Sequence, residues 1–191
     1  ALEPWPFSEL VYLLEGELTL SDAHGRTESF GPGEVVLVPR GVPVVWHHDE
    51  PIRKYFVVFD SGDASSRSPG ADTFIRFDPA VALEETGDGS RRHVYYEAEN
   101  GASAGVWEAG PRVVELPEGQ PFAELMIVVN GSAAVVDGAG RVGRFGGADV
   151  ALLPPGVPVK WRHEEVLRKI WVAFDGVATD WVATDRVAPG S

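Results

Sequence analysis

The chain has 191 residues, no cysteine, and 29 acidic against 16 basic side chains, for a net charge of −13 and a pI near 4.7. Disulfides, thiolate metal sites and cysteine nucleophiles are therefore excluded, and the acidic field disfavours nucleic acid and anionic membrane surfaces. No apolar run reaches the length of a membrane span and Ala1–Pro4 has no signal-peptide character, so the expected compartment is the cytoplasm.

In chain order, Glu9–Leu20 reads as a strand with Gly16 as a bulge or a close backbone approach. Ser21–Gly25 is a hairpin turn, a short strand runs to Phe30, and Gly31-Pro32-Gly33 turns again. Val35–Val38 is a buried strand closed by Pro39–Pro43. Val44–His48 and Lys54–Phe59 are two more, separated by Asp49-Glu50-Pro51. Ser61–Gly70 has the composition of a flexible linker. Thr73–Asp78 reads as a short strand, residues 79–85 as one or two helical turns, and Glu84–Arg92 as a loop. His93–Glu97 and Ala104–Leu116 then lead into a second copy of the opening pattern.

That copy is the strongest signal in the sequence. Phe122–Asp175 aligns with Phe7–Asp60 without a gap, with about 24 of some 54 pairs identical. Glu9, Gly16, Asp22, Pro39, Gly41, Trp46, His48 and Lys54 return as Glu124, Gly131, Asp137, Pro154, Gly156, Trp161, His163 and Lys169. The chain is a tandem duplication of short strands joined by Gly/Pro turns, the pattern of a sandwich or barrel. The expected division is an N-terminal barrel over 1–60, a linker over 61–92 and a C-terminal barrel over 93–191. By the same offset, the counterpart of Gly105-Val106-Trp107-Glu108 would precede Ala1. The first barrel is thus expected to lack its opening strand, to have been shortened, or to borrow a strand from the second.

The Glu-x6-Gly spacing of Glu9–Gly16, its copy Glu124–Gly131, and Gly33-Glu34-Val-Val-Leu-Val-Pro39-x-Gly41 resemble the two cupin motifs. Trp46, Arg53-Lys54 and Gly105–Glu108 resemble the small ureidoglycine aminohydrolase-type cupins, RmlC-like jelly rolls. The resemblance covers most of the chain and implies an all-β bicupin, a tandem pair of double-stranded β-helix (jelly-roll) barrels. The copy departs from the second motif by placing Ala148 where Gly33 stands. It also implies where a metal would be bound: Glu118, Gln120, Glu124 and Val159 in the second barrel, and Glu3, Trp5, Glu9 and Val44 in the first. None is histidine and the last is valine in both, so no metal is expected. Glu118, Gln120 and Glu124 are the residual set for Mn or another divalent ion.

Alternation places Val44, Trp46 and His48 on one strand face, as it does Val159, Trp161 and His163. Each Trp is either a core filler or a pocket wall, and each His either caps the barrel or serves as a hydrogen bonder or base. Glu9 and Glu124 sit in apolar strands and need partners, for which Arg53, Lys54, Arg168 and Lys169 are the candidates. Such a carboxylate is either a structural ion-pair member or a candidate acid or base. The expected function is binding of a small organic metabolite in the second barrel. Glu124 and His163 are the catalytic candidates there. Trp161, Glu118, Gln120 and Lys169, with Trp46, His48 and Glu9 in the first barrel, are the binding candidates. A metal-independent hydrolase, isomerase or cyclase, a non-catalytic sensor, and a scaffold with filled barrels all stay open. The expected partner is a small molecule, and the expected assembly a monomer with intramolecular barrel pairing or a homodimer.

Overall fold

A computed structural model describes residues 3–59 and 72–175; the Ser61–Gly70 linker lies outside the described residues. In the first half the strands are β1 (Ser8–Glu15), β2 (Leu18–Asp22), β3 (Thr27–Phe30), β4 (Val35–Val38), β5 (Val44–His47), β6 (Arg53–Phe59) and β7 (Ile75–Phe77). The second half has β8 (Glu84–Glu85), β9 (Ser90–Glu97), β10 (Ser103–Ala109), β11 (Arg112–Leu116) and β12 (Ala123–Asn130). It continues with β13 (Ala133–Asp137), β14 (Val142–Phe145), β15 (Val150–Leu153), β16 (Val159–His163) and β17 (Leu167–Phe174). Among the described residues none is helical, so the turn expected over 79–85 is not formed. Glu84–Arg92 is not a plain loop either. Asp88 accepts bonds from the Ser90 amide and from the Thr86 and Ser90 hydroxyls, which tightens the turn joining β8 to β9.

The repeat is visible in the strand order. Sheet β6-β1-β4-β7 faces sheet β3-β2-β5 in the first half; sheet β15-β12-β17-β10-β9-β8 faces β11-β16-β13-β14 in the second. Between each pair lies a core. Val11, Leu13, Leu18, Leu20, Phe30, Val36 and Val38 fill the first, and Met126, Val135, Leu153 and Val159 with half-buried Trp161 fill the second. The strand expected over Glu9–Leu20 breaks in two at Gly16, which adopts φ +81° beside the Leu13/Glu15 bulge. Gly131 repeats this at φ +80° beside the Val128/Asn130 bulge. A Cβ on Gly131 would lie 2.2 Å from the Val166 carbonyl oxygen, so the chain needs glycine there.

β1 is buried on both faces because its second face meets the other half. Leu10, Tyr12, Leu37, Phe59 and Phe77 form one core with Val106, Leu125, Ile127, Ile170, Val172 and Phe174. The two large sheets therefore pack back to back, with each half's own interior on the far side. Of the span 61–92 only residues 72–92 are described: there β7 extends the first half's large sheet beside β4, while β8 and the start of β9 belong to the second half's.

Candidate functional site

Glu124 alternates with Met126 and Val128 on β12, so its side chain points toward the second half's interior. Lys169 lies opposite Val128 on β17, and its ammonium bonds Glu124 Oε1. The same Nζ stands 5.1 Å from the Trp107 ring centroid and 5.6 Å from that of Trp161. An ammonium drawn out of water is thus held by one carboxylate and two indole faces, which jointly offset its desolvation. The first half builds the same unit. Lys54 Nζ donates to Glu9 Oε1 at 2.8 Å and lies 4.8 Å from Trp46 and 5.4 Å from Phe56. Of the candidate partners, Lys54 and Lys169 take the two carboxylates, while Arg53 pairs with Glu15 and Arg168 with Glu108.

The halves differ in what lies beside this unit. In the first, Trp5 packs on Trp46 with ring centroids 5.3 Å apart, and Glu9 is only 4% exposed. In the second, Gln120 stands at the Trp5 position, and a pocket of about 350 Å³ opens along the inner face of β9, β10, β12 and β17. Trp107, Trp171 and Phe122 wall it, Glu124 and Lys169 sit within it, and Arg92 contributes a guanidinium. Arg92 is the register partner of Trp107, is exposed, and has no ion-pair partner among the described residues. A larger hollow of about 600 Å³ lies on the outer face of β13, β14 and β16, between Arg144, Lys160 and Arg162. It is open sheet surface with no buried polar group aimed into it.

Of the residues expected at the site, the pocket gathers Glu124 and Lys169. Trp161 packs into the core on the far side of Lys169. His163 is 4% exposed, edge-on to Trp107 at 6.2 Å, with Nδ1 3.1 Å from the Glu165 carbonyl; it does not line the pocket. Glu118 is exposed on the turn closed by the Gly119 amide and Leu116 carbonyl, away from Glu124. Gln120 is half-buried with a buried, unpartnered Nε2. In the first half Trp46 faces the core as expected, but His48 does not follow it. β5 ends at His47, so alternation stops one residue short, and exposed His48 bonds the Glu50 carbonyl at 3.1 Å. β16 runs on to His163, which Trp107 covers. Trp107, Trp171, Phe122 and Arg92 are the pocket residues that sequence reasoning missed. Trp107 stood in a motif read only as an opening strand, and Arg92 in a span read as a loop.

The donor set does not fit a divalent metal. Glu124 is committed to an ammonium, Glu118 is exposed elsewhere, and Val159 has nothing to donate. Among the described residues no three His, Asp or Glu side chains come together as ligands. A cation at Glu124 would stand against Lys169, so no chemistry is assigned to a metal here.

Comparison with known proteins agrees with this architecture. Residues 3–56 match the EutQ-like cupin domain family. A protein of unknown function of the DUF861 family from Pseudomonas syringae pv. tomato superposes with a TM-score of 0.74 at 18% identity, over 90% of this chain and 76% of its own. A cupin 2 conserved barrel protein from Leptotrichia buccalis gives 0.63 at 10% identity, over 91% and 76%. Streptomyces albus HEPD, solved with 2-hydroxyethylphosphonate and Fe(II), gives 0.53 at 11% identity, over 93% and 63%. No curated protein matches the chain in sequence. The chain has the fold of the cupin structures it superposes on, and residues 3–56 are similar to the EutQ-like cupin domain family.

Proposed function

We propose that the second half is a binding module for a small organic acid, held in the pocket between Trp107, Trp171 and Phe122. The observation that carries this is the Arg92 guanidinium, without an ion-pair partner among the described residues, beside an aromatic-walled space of about 350 Å³. Guanidinium recognises carboxylate through a planar, two-pronged donor set, and the rings supply apolar area for the body of the ligand. The volume falls in the range of small-ligand pockets. Glu124 and Lys169 satisfy each other, and Asp175 also lines the pocket, so Arg92 is the cation left there to meet an anionic group.

Binding without chemistry is favoured over catalysis because the expected base is elsewhere. His163 is packed behind Trp107 and engaged with a main-chain carbonyl, so no imidazole reaches the pocket. The test is a thermal-shift and calorimetric screen of small carboxylates, with and without a ring, against wild type, Arg92→Ala and Trp107→Ala. Binding by wild type that drops at least tenfold in each variant, with unfolding of Arg92→Ala unchanged, supports the reading. If no carboxylate binds, or binding survives both substitutions, the reading fails.

A further inference from the structure

Both signs of charge line the pocket of the second half. Arg92 and Lys169 bring cations to it, and Glu124 and Asp175 bring carboxylates, so the lining is neutral as a whole. Lys169 is committed to Glu124. That leaves Arg92 and Asp175, and the strand register sets them at opposite ends. Arg92 lies opposite Trp107, and Trp107 lies opposite Lys169, which marks one end on β9, β10 and β17. Lys169, Trp171 and Ala173 then line the pocket in alternation along β17, and Asp175 follows in the same phase just past the strand. From the level of Lys169 to Asp175 is about 20 Å of extended backbone. Ser103, opposite Ala173, and Phe122, next to the Ala123↔Phe174 pair, line the Asp175 end, and Trp171 stands between the two poles.

Resting on Arg92 as the anchor for a carboxylate, we propose that the pocket selects an extended zwitterion. The ligand is an ω-amino acid whose carboxylate meets Arg92, whose ammonium meets Asp175, and whose apolar chain runs along Trp107 and Trp171. A plain monocarboxylate answers Arg92 but leaves Asp175 facing a second negative charge in the same space. A zwitterion answers both and keeps the lining neutral. An α-amino acid carries its two charges too close together to reach both ends. The chain itself shows how an ammonium is held in such surroundings. Lys169 stands between Glu124 and the Trp107 and Trp161 rings, and Lys54 between Glu9 and the Trp46 and Phe56 rings. Asp175 with Phe122 and Trp171 offers a ligand ammonium the same combination of carboxylate and aromatic faces.

The test is calorimetry on the full chain with ε-aminocaproate, caproate and norleucine. The three share one acid skeleton and differ in the amine, which is terminal, absent or beside the carboxylate. The expected result is that ε-aminocaproate binds at least about tenfold tighter than either of the others, the effect of one added charge-assisted contact. Asp175→Asn should erase the preference, weakening ε-aminocaproate and tightening caproate, whose repulsion it removes. Asp175 is exposed beyond the end of β17, so thermal unfolding of the variant should match wild type. The comparison of ligands on wild type stands without any variant. Equal binding of caproate and ε-aminocaproate overturns the zwitterion and leaves the organic-acid reading in place, as does a preference that survives Asp175→Asn. Equal binding of norleucine overturns the separation of the two poles. Failure of all three to bind removes the organic-acid reading itself, and the zwitterion with it.

Discussion

Phe59 and Phe174 stack on one another with ring centroids 5.6 Å apart and planes 20° apart. They occupy the same position in the two repeats, so each residue meets its own counterpart. That is the signature of a two-fold interface, realised here within one chain. Both rings are nearly fully buried in the core shared by the two large sheets. Phe59→Ala or Phe174→Ala should each cost about 3–5 kcal/mol, through lost transfer energy and the cavity left behind. The double variant should cost less than the sum, since the second truncation removes a ring with no partner left. Urea unfolding of the three variants measures this; additive costs would mean the stack contributes nothing of its own.

The Glu–Lys pairs should separate stability from binding. Glu9→Gln leaves Lys54 without its carboxylate in a closed interior, but Lys54 keeps 27% of its side-chain exposure, so the expected cost is roughly 1–3 kcal/mol. Glu124→Gln does the same to Lys169 and also alters the pocket floor, so it should both destabilise and weaken ligand binding. Equilibrium unfolding and calorimetry decide. Wild-type values of both for Glu124→Gln would contradict its inward placement.

The paired glycines should not be equally replaceable. Alanine at Gly16 would press on the Pro51 carbonyl and the Ile52 methyl, each 2.9 Å from the new Cβ, a shallow overlap that a shift of a few tenths of an ångström relieves. Alanine at Gly131 would meet the Val166 carbonyl at 2.2 Å, which such a shift does not relieve. Both also carry the cost of a positive φ, about 1 kcal/mol or more. Gly131→Ala should therefore lower the melting temperature more than Gly16→Ala, and the reverse order would show that the Gly131 turn relaxes freely.

Asp22 gives the first half an acid-sensitive anchor. Burial raises its carboxyl, but the Thr73 hydroxyl and the Arg26 and His24 amides outweigh that and hold it below its ordinary 3.8. A depressed acid contributes stability that is present above the unfolded value and lost as pH falls through the folded one. Wild type should therefore exceed Asp22→Asn in stability at pH 7, with the gap closing below about pH 4. Chemical unfolding at neutral and acid pH reads the gap, and a gap independent of pH would remove the carboxylate from this role.

Added Mn or Zn should leave thermal unfolding unchanged, because Lys169 already holds the charge position beside Glu124. A stoichiometric transition metal in the purified protein, or stabilisation by added metal that Glu124→Gln abolishes, would refute that assignment.

The sequence alone determined the duplication and the all-β class, because these rest on local rules. Glycine at positive φ, proline at turns and alternation along strands are written residue by residue, and copying them in register makes them legible twice. That each glutamate needs a cation was also legible, since a charge in an apolar strand must be answered by a nearby opposite one, but the choice of Lys54 and Lys169 over Arg53 and Arg168 was not. Tertiary structure alone decided the rest. His48 and His163 are the same residue at the same offset, yet one is exposed and the other buried. What separates them is one more residue of strand in β16 and the Trp107 ring brought in from β10. The pocket is likewise made by β9 and β10, which come from outside the repeated segment and lay Arg92 and Trp107 beside Lys169. Which strand lies beside another depends on long-range pairing across the chain, and local periodicity carries no record of the neighbour.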